Sequence, residues 1–322
     1  MVTIGQGWMW GVFALIVIAM LAVDLWLGGG RRHKVSVKEA GLWSLAWVTV
    51  ALLFCAGLWW YLDGSVGREL ANEYSLQFLA GYLLEKSLAV DNVFVWMLIF
   101  GFFAVPVELQ RRVLLYGILG AVILRTIMIF AGSWLISQFG WVLYLFGAFL
   151  IVVGIKMLLP EKDTDLNDSR LLNWLRRHLR LTDTLEGERF LVMRDGIRYA
   201  TPLLLALILV ELSDVVFALD SIPAVFAVTT DPFLVLTSNL FAILGLRAMY
   251  FLLAGVADRF VLLKYGLAAI MVFIGGKMLA MHWFHVPVLI SLSVIASILV
   301  ITLLGSLWFS RRQQARAGGP SA

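Results

Sequence analysis

The chain reads as nine apolar stretches separated by polar turns. They cover residues 9–27, 42–62, 76–103, 113–133, 141–159, 199–228, 233–256, 265–280 and 286–309. A helix needs about 20 apolar residues to cross the hydrocarbon core. Each stretch is near that length, and 265–280 is the shortest. Only the turn Ser137-Gln138-Phe139-Gly140 separates the fourth from the fifth. No basic residue precedes the first stretch, Asp24 stands near its end, and no small-residue cleavage site is evident, so a retained helix is expected rather than a cleaved leader. The pattern predicts an all-α membrane protein of about nine transmembrane helices.

The basic residues then set an orientation, because short cytoplasmic loops are enriched in Lys and Arg. The first loop holds Arg31, Arg32, Lys34 and Lys38, the third Arg111 and Arg112, and the seventh Arg259 and Lys264. The fifth loop, 160–198, holds eight basic residues, and the tail holds Arg311, Arg312 and Arg316. The even-numbered loops hold one basic residue, Arg68, which lies beside Asp63, Glu69 and Glu73. This alternation predicts an outer N-terminus and a cytoplasmic C-terminus. Within the fifth loop, Asp168 and Ser169 can cap a short helix reaching Leu181. Leu171, Leu172, Leu175 and Leu179 would share its apolar face, as in a helix lying on a membrane surface.

Composition agrees. The chain is 61% hydrophobic and 14% charged, where a soluble domain carries about a quarter charged residues. The lone cysteine, Cys55, lies in an apolar run and cannot form an internal disulfide. Neither a P-loop, a Rossmann glycine pattern, a CxxC pair nor a Ser-His-Asp set is evident, so neither an enzyme nor a bound cofactor is expected. The lipid bilayer is the expected surrounding, nucleic acid is not an expected partner, and the sequence leaves room for a homo-oligomer.

Two parts of the chain resemble each other. Glu85-Lys86-Ser87-Leu88-Ala89-Val90-Asp91-Asn92 aligns with Asp214-Val215-Val216-Phe217-Ala218-Leu219-Asp220-Ser221. Ile123-Leu124-Arg125 aligns with Gly245-Leu246-Arg247, and Gly154-Ile155-Lys156-Met157-Leu158 with Gly275-Gly276-Lys277-Met278-Leu279. Each copy holds three spans, and an odd number makes the second enter from the opposite side. The expected organisation is two N-terminal helices (1–75), a three-helix repeat (76–159), a cytoplasmic loop (160–198), an inverted three-helix repeat (199–280), and a ninth helix with a basic tail (281–322). Inverted repeats of this kind are typical of secondary transporters, with the binding site at the repeat interface.

The ionisable residues inside the spans carry the chemistry, since each costs about 2.5–3.5 kcal/mol at the bilayer centre. They are Glu85, Lys86 and Asp91 in the third span, Glu211, Asp214 and Asp220 in the sixth, Arg125 in the fourth and Arg247 in the seventh. The arginines read most simply as partners for an acid or a helix C-terminus. Taking the third span as centred near residue 90 puts Asp91 at the midplane, with Asp220 at comparable depth. Glu85 would then lie about 9 Å outward, and Asp214 toward the cytoplasm, giving an acid ladder. Asp91 and Asp220 become the expected metal ligands, Glu85 and Asp214 relay acids, and Glu211, Asn92 and Ser221 further oxygen donors. Pro223 removes a backbone donor, which would free the Leu219 carbonyl in a broken span. Asp24 is read either as a solvated interfacial acid or as a ligand.

The run from Glu211 through Asp214, Asp220, Ser221 and Pro223, together with Glu85-Lys86-Ser87 and Asp91-Asn92, resembles the TerC family of bacterial inner-membrane proteins. The stretch 229–250, including Asn239 and Arg247, is closest to the alkaline-induced Alx branch. The resemblance covers essentially the whole chain. It implies a transporter of the LysE-like superfamily that exports Mn²⁺ from the cytoplasm. The family's name comes from tellurium resistance, and a redox-modulator role has also been attached to it. A midplane acid ladder repels the tellurite oxyanion, and one cysteine supports no dithiol chemistry. The competing reading is a non-transporting membrane stress-response component. All four histidines, His33, His178, His282 and His285, fall in loops, which leaves hard oxygen donors suited to Mg²⁺, Ca²⁺ and Mn²⁺, although Zn²⁺ also accepts carboxylates. Reluctant dehydration disfavours Mg²⁺.

Overall fold

The computed structural model describes residues 3–29, 36–159, 180–182, 184–194, 196–254, 262–284 and 286–317. Each apolar stretch is occupied by helix: α1 (Gly7–Gly29), α2 (Val37–Ser65), α3 (Arg68–Phe102), α4 (Val107–Gln138), α5 (Val142–Leu158), α6 (Pro202–Phe226), α7 (Pro232–Leu244) with α8 (Leu246–Ala254), α9 (Leu263–Ala280) and α10 (Val288–Ala317). Six of these, α1, α2, α4, α6, α9 and α10, are each long and apolar enough to cross a bilayer. The pair α7 and α8, bent by 41°, makes a seventh if it is one span. The chain is a predominantly helical, multi-pass membrane protein.

Short signals start and stop the helices. Ser36 caps α2 by accepting from the Glu39 amide at 3.2 Å. Asp231 caps α7, accepting from the amides of Phe233 (2.8 Å) and Leu234 (3.3 Å). The same carboxylate accepts from the Ile4 amide at 2.7 Å and the Thr3 hydroxyl at 3.0 Å, tying the start of the chain to α7. Only Val66 and Gly67 separate α2 from α3, and Gly67 turns the chain at φ +93°, a conformation glycine adopts without steric cost. Helix α3 therefore begins eight residues before the apolar stretch at 76–103, so Glu69 and Glu73 are helical rather than in a loop.

Region 160–198 departs from expectation at its end. Leu191–Arg194 (β1) and Ile197–Ala200 (β2) form an antiparallel hairpin, so α6 starts at Pro202 and not at Tyr199. Leu181 forms an isolated bridge with Ala200, and Thr182 donates to the Ala200 carbonyl at 3.0 Å. These backbone groups find partners in extended chain, so no helix runs through Leu181. The rest of the expected surface helix lies outside the described residues, as do His33, His178 and His285.

Packing runs between the two similar parts of the chain. Helix α3 packs on α7, and its counterpart α6 packs on α4. Helices α5 and α9 meet glycine to glycine. A Cβ on Gly275 would lie 2.5 Å from the Gly147 carbonyl oxygen, and one on Gly154 2.9 Å from that of Ala268. Only backbones stripped of side chains come this close, as at small-residue interfaces of membrane helices. Passing from Gly147 to Gly154 on α5 means passing from Gly275 back to Ala268 on α9, so the two are antiparallel. α3 and α6 are antiparallel too, as the contacts at the centre make plain.

Candidate functional site

Arg125, on α4, is the centre of a buried polar cluster. Its side chain is 1% exposed, and the Glu85 and Asp214 side chains beside it are 0% and 2% exposed. Its Nε and Nη2 donate to the two oxygens of Asp214 at 3.2 and 3.0 Å, the two-pronged geometry that guanidinium and carboxylate favour. Its Nη1 bonds Glu85 Oε1 and also faces Ser221 Oγ at 3.2 Å and Asn239 Oδ1 at 3.3 Å. Two amides brace the carboxylates from behind: Asn239 donates to Glu85 Oε2 at 2.9 Å, and Asn92 to Asp214 Oδ1 at 3.3 Å. Four helices, α3, α4, α6 and α7, thus supply one fully connected network. Ionised groups persist away from water only when paired and hydrogen-bonded in this way.

These contacts correct the acid ladder. Asn92 lies opposite Asp214, while Glu85 and Ser221 share one nitrogen of Arg125. Seven residues back along α3 corresponds to seven forward along α6. Asp91 is therefore level with Asp214, and Asp220 with Glu85. Asp91 and Asp220 thus stand at different levels rather than as one pair, and Glu85 and Asp214 meet at one guanidinium.

Asp91 and Asp220 are half-buried and line a cavity of about 380 Å³ beside the cluster, together with Asn92, Arg125, Phe217 and Lys264. Among the described residues, no three His, Cys, Asp or Glu side chains converge as a metal-binding group. The oxygens that do converge are those around Arg125. Asn239 was missed in the sequence, though an amide in the middle of an apolar span is costly unless bonded, and that was the available signal.

The remaining candidates lie elsewhere. Glu211 is half-buried against α4, where a Cβ on Gly120 would land on its carboxylate. Asp24 is neither solvated nor placed at the central cluster. It is buried and paired with Arg247 at 2.6 Å, and Arg247 also donates to the Asp24 carbonyl at 2.9 Å. Both arginines are thus partners of acids, but only Arg125 reaches the centre. Lys86 donates to the Ala242 carbonyl at 3.1 Å, beside the bend between α7 and α8. A Cβ on Gly245 would lie 2.8 Å from its ammonium nitrogen, so glycine there lets the lysine reach the end of α7. The break expected at Pro223 is absent: α6 runs unbroken to Phe226, with Pro223 in its last turn. The bend sits at Gly245 instead.

Residues 70–314 match the family described as "Integral membrane protein TerC family". The chain is 60% identical over 319 residues to the Escherichia coli (strain K12) protein named "Putative membrane-bound redox modulator Alx", covering 98% of this chain and 99% of that one. A protein of the same printed name from Photorhabdus laumondii is 58% identical, covering 96% and 97%. An uncharacterized membrane protein from Myxococcus xanthus is 48% identical, covering 96% and 95%. No solved structure matches at a significant level. A buried acid–arginine network inside a multi-pass helical bundle, and identity of this extent along nearly the whole chain, lead to one conclusion: the chain belongs to the TerC family of integral membrane proteins, in its Alx branch.

Proposed function

We propose that this protein is an inner-membrane secondary transporter that exports divalent metal cations, Mn²⁺ foremost, through its central carboxylates and in exchange for protons. One observation carries the reading. Four carboxylates, Glu85, Asp91, Asp214 and Asp220, are gathered at or beside one buried cluster where the two similar halves of the chain meet.

Support for an inverted repeat comes from the contacts themselves. Exchanging the halves turns the pair Asn92 and Asp214 into Ser221 and Glu85, which meet at Arg125. The same exchange turns the contact of Gly147 with Gly275 into that of Ala268 with Gly154, also present. In this reading α3 and α5 complete nine spans. At 35 residues α3 is long enough despite its charges, and α5, at 17, is at the lower limit. With the N-terminus outside, Asp91 and Asp214 form the inner level and Glu85 and Asp220 the outer one. A cavity of about 1140 Å³ lies at the α2–α3 and α6–α7 turns, the expected outer side, with Glu69 and Glu73 in its lining. Such a space suits an exit for a cation.

The donors are carboxylate, amide and hydroxyl oxygens, which suit Mg²⁺, Ca²⁺ and Mn²⁺. Dehydration disfavours Mg²⁺, and the family resemblance favours Mn²⁺. Exchange for protons is part of the same proposal and is read from flux under an imposed pH gradient. The printed name of the relatives favours a second reading, a redox role. A dithiol mechanism within one chain is ruled out by the single cysteine. Purified protein in liposomes decides between the two: Mn²⁺ flux supports transport, whereas no flux together with a visible or flavin absorbance band supports the redox reading.

A further inference from the structure

The central cluster already contains a cation. Five oxygens surround the guanidinium of Arg125: Glu85 Oε1, both Asp214 oxygens, Ser221 Oγ and Asn239 Oδ1. They come from α3, α6 and α7, while Arg125 itself enters from α4. Without Arg125 the remaining set would be an oxygen cage of two carboxylates, a hydroxyl and an amide. Such a set is close in number and type to what a hard divalent ion takes. Arginine does not lose its proton in proteins, so the cage gives up this charge only if the side chain moves.

Two observations indicate where it goes. The cavity of about 380 Å³ is lined by Arg125 itself and by Asp91 and Asp220, so space and carboxylates lie on its flank. The second half of the chain, moreover, holds the equivalent arginine in a different place. The helix carrying Arg125 is continuous. Its counterpart bends by 41° at Gly245, two residues before Arg247, and Arg247 sits on Asp24 of α1 instead of the central acids. The two sequence-equivalent arginines thus occupy different places, Arg125 on the central acids and Arg247 on Asp24 of α1.

We propose that Arg125 is a resident surrogate for the transported cation: the cage of Glu85, Asp214, Ser221 and Asn239 holds either the guanidinium or one divalent ion, and the two displace each other. This inference rests on the transport reading and adds the competitor that empties the site. The exchange keeps the buried carboxylates compensated throughout, which avoids the cost of leaving them bare. It makes binding weaker than the cage alone would give, and release correspondingly easier.

The test uses the full chain, purified and reconstituted, with Mn²⁺ alone as probe. Binding is read from the electron paramagnetic resonance signal of free Mn²⁺, and flux from liposomes of the same preparation. Lysine keeps the charge but loses the two-pronged grip, so Arg125→Lys should bind Mn²⁺ at least threefold tighter than wild type. Arg125→Met should bind at least tenfold tighter and move Mn²⁺ at less than a tenth of the wild-type rate. A merely structural arginine would instead lower affinity in both variants. If Arg125→Met does not fold, Arg125→Lys decides alone. Wild type that binds and moves Mn²⁺, with Arg125→Lys binding no tighter, overturns the exchange and leaves the transport reading standing. Wild type that neither binds nor moves Mn²⁺ overturns both.

Discussion

At the residue scale, the proposed function rests on side chains that an apolar span has reason to exclude. Glu85, Asp214 and Arg125 stabilise one another only as a set. Removing one partner of a buried ion pair costs about 3–5 kcal/mol, because the other charge is left uncompensated. Asp214→Asn breaks the two-pronged bond and should lower the thermal midpoint in detergent measurably while abolishing transport. Asp91→Asn and Asp220→Asn remove carboxylates that line the cavity beside the cluster. Both should abolish Mn²⁺ flux with a smaller change in midpoint. Flux at wild-type rate in either variant would remove that residue from the ion's path. The acids were legible in the sequence by residue type and spacing. Their partners were not, because which carboxylate meets Arg125 depends on the register between α3 and α6, and nothing local encodes that register.

At the element scale, apolar length read the helices well and their ends poorly. Helix α3 continues through the polar residues Arg68 to Ser75, since backbone hydrogen bonding does not stop where apolarity stops. The hairpin of β1 and β2 was missed because Leu191–Arg194 is too short for a strand period to stand out. The three aligned motifs, by contrast, stand out in the sequence by residue type, and the glycines of one of them pack helix against helix in the structure. Gly275→Ala would push a Cβ to within 2.5 Å of the Gly147 carbonyl oxygen. It should separate α5 from α9 and lower the thermal midpoint by several degrees. An unchanged midpoint would mean that this contact loosens at no cost. Gly120→Ala would drive Glu211 off α4. If Glu211 belongs to the ion's path, flux should fall several-fold with the fold intact, and full flux would leave Glu211 a packing residue.

At the scale of the whole molecule, the proposed nine crossings would put the two ends of the chain on opposite faces. Reporter fusions at Thr230 and at Gln314 should report opposite sides, outer and cytoplasmic; the same side for both contradicts the topology. Proton exchange has its own signature. Mn²⁺ flux should accelerate when a pH gradient supplies protons from the side to which metal leaves, and equal flux at every imposed gradient would remove protons from the cycle. Both follow from the proposed transporter with inverted halves, and that proposal stands or falls with transport. The most direct measurement is Mn²⁺ movement into liposomes holding purified wild type, against liposomes holding Asp214→Asn and liposomes without protein. Flux is expected with wild type, and a rate with Asp214→Asn no higher than in protein-free liposomes. Wild-type liposomes no faster than protein-free ones would contradict the transport proposal.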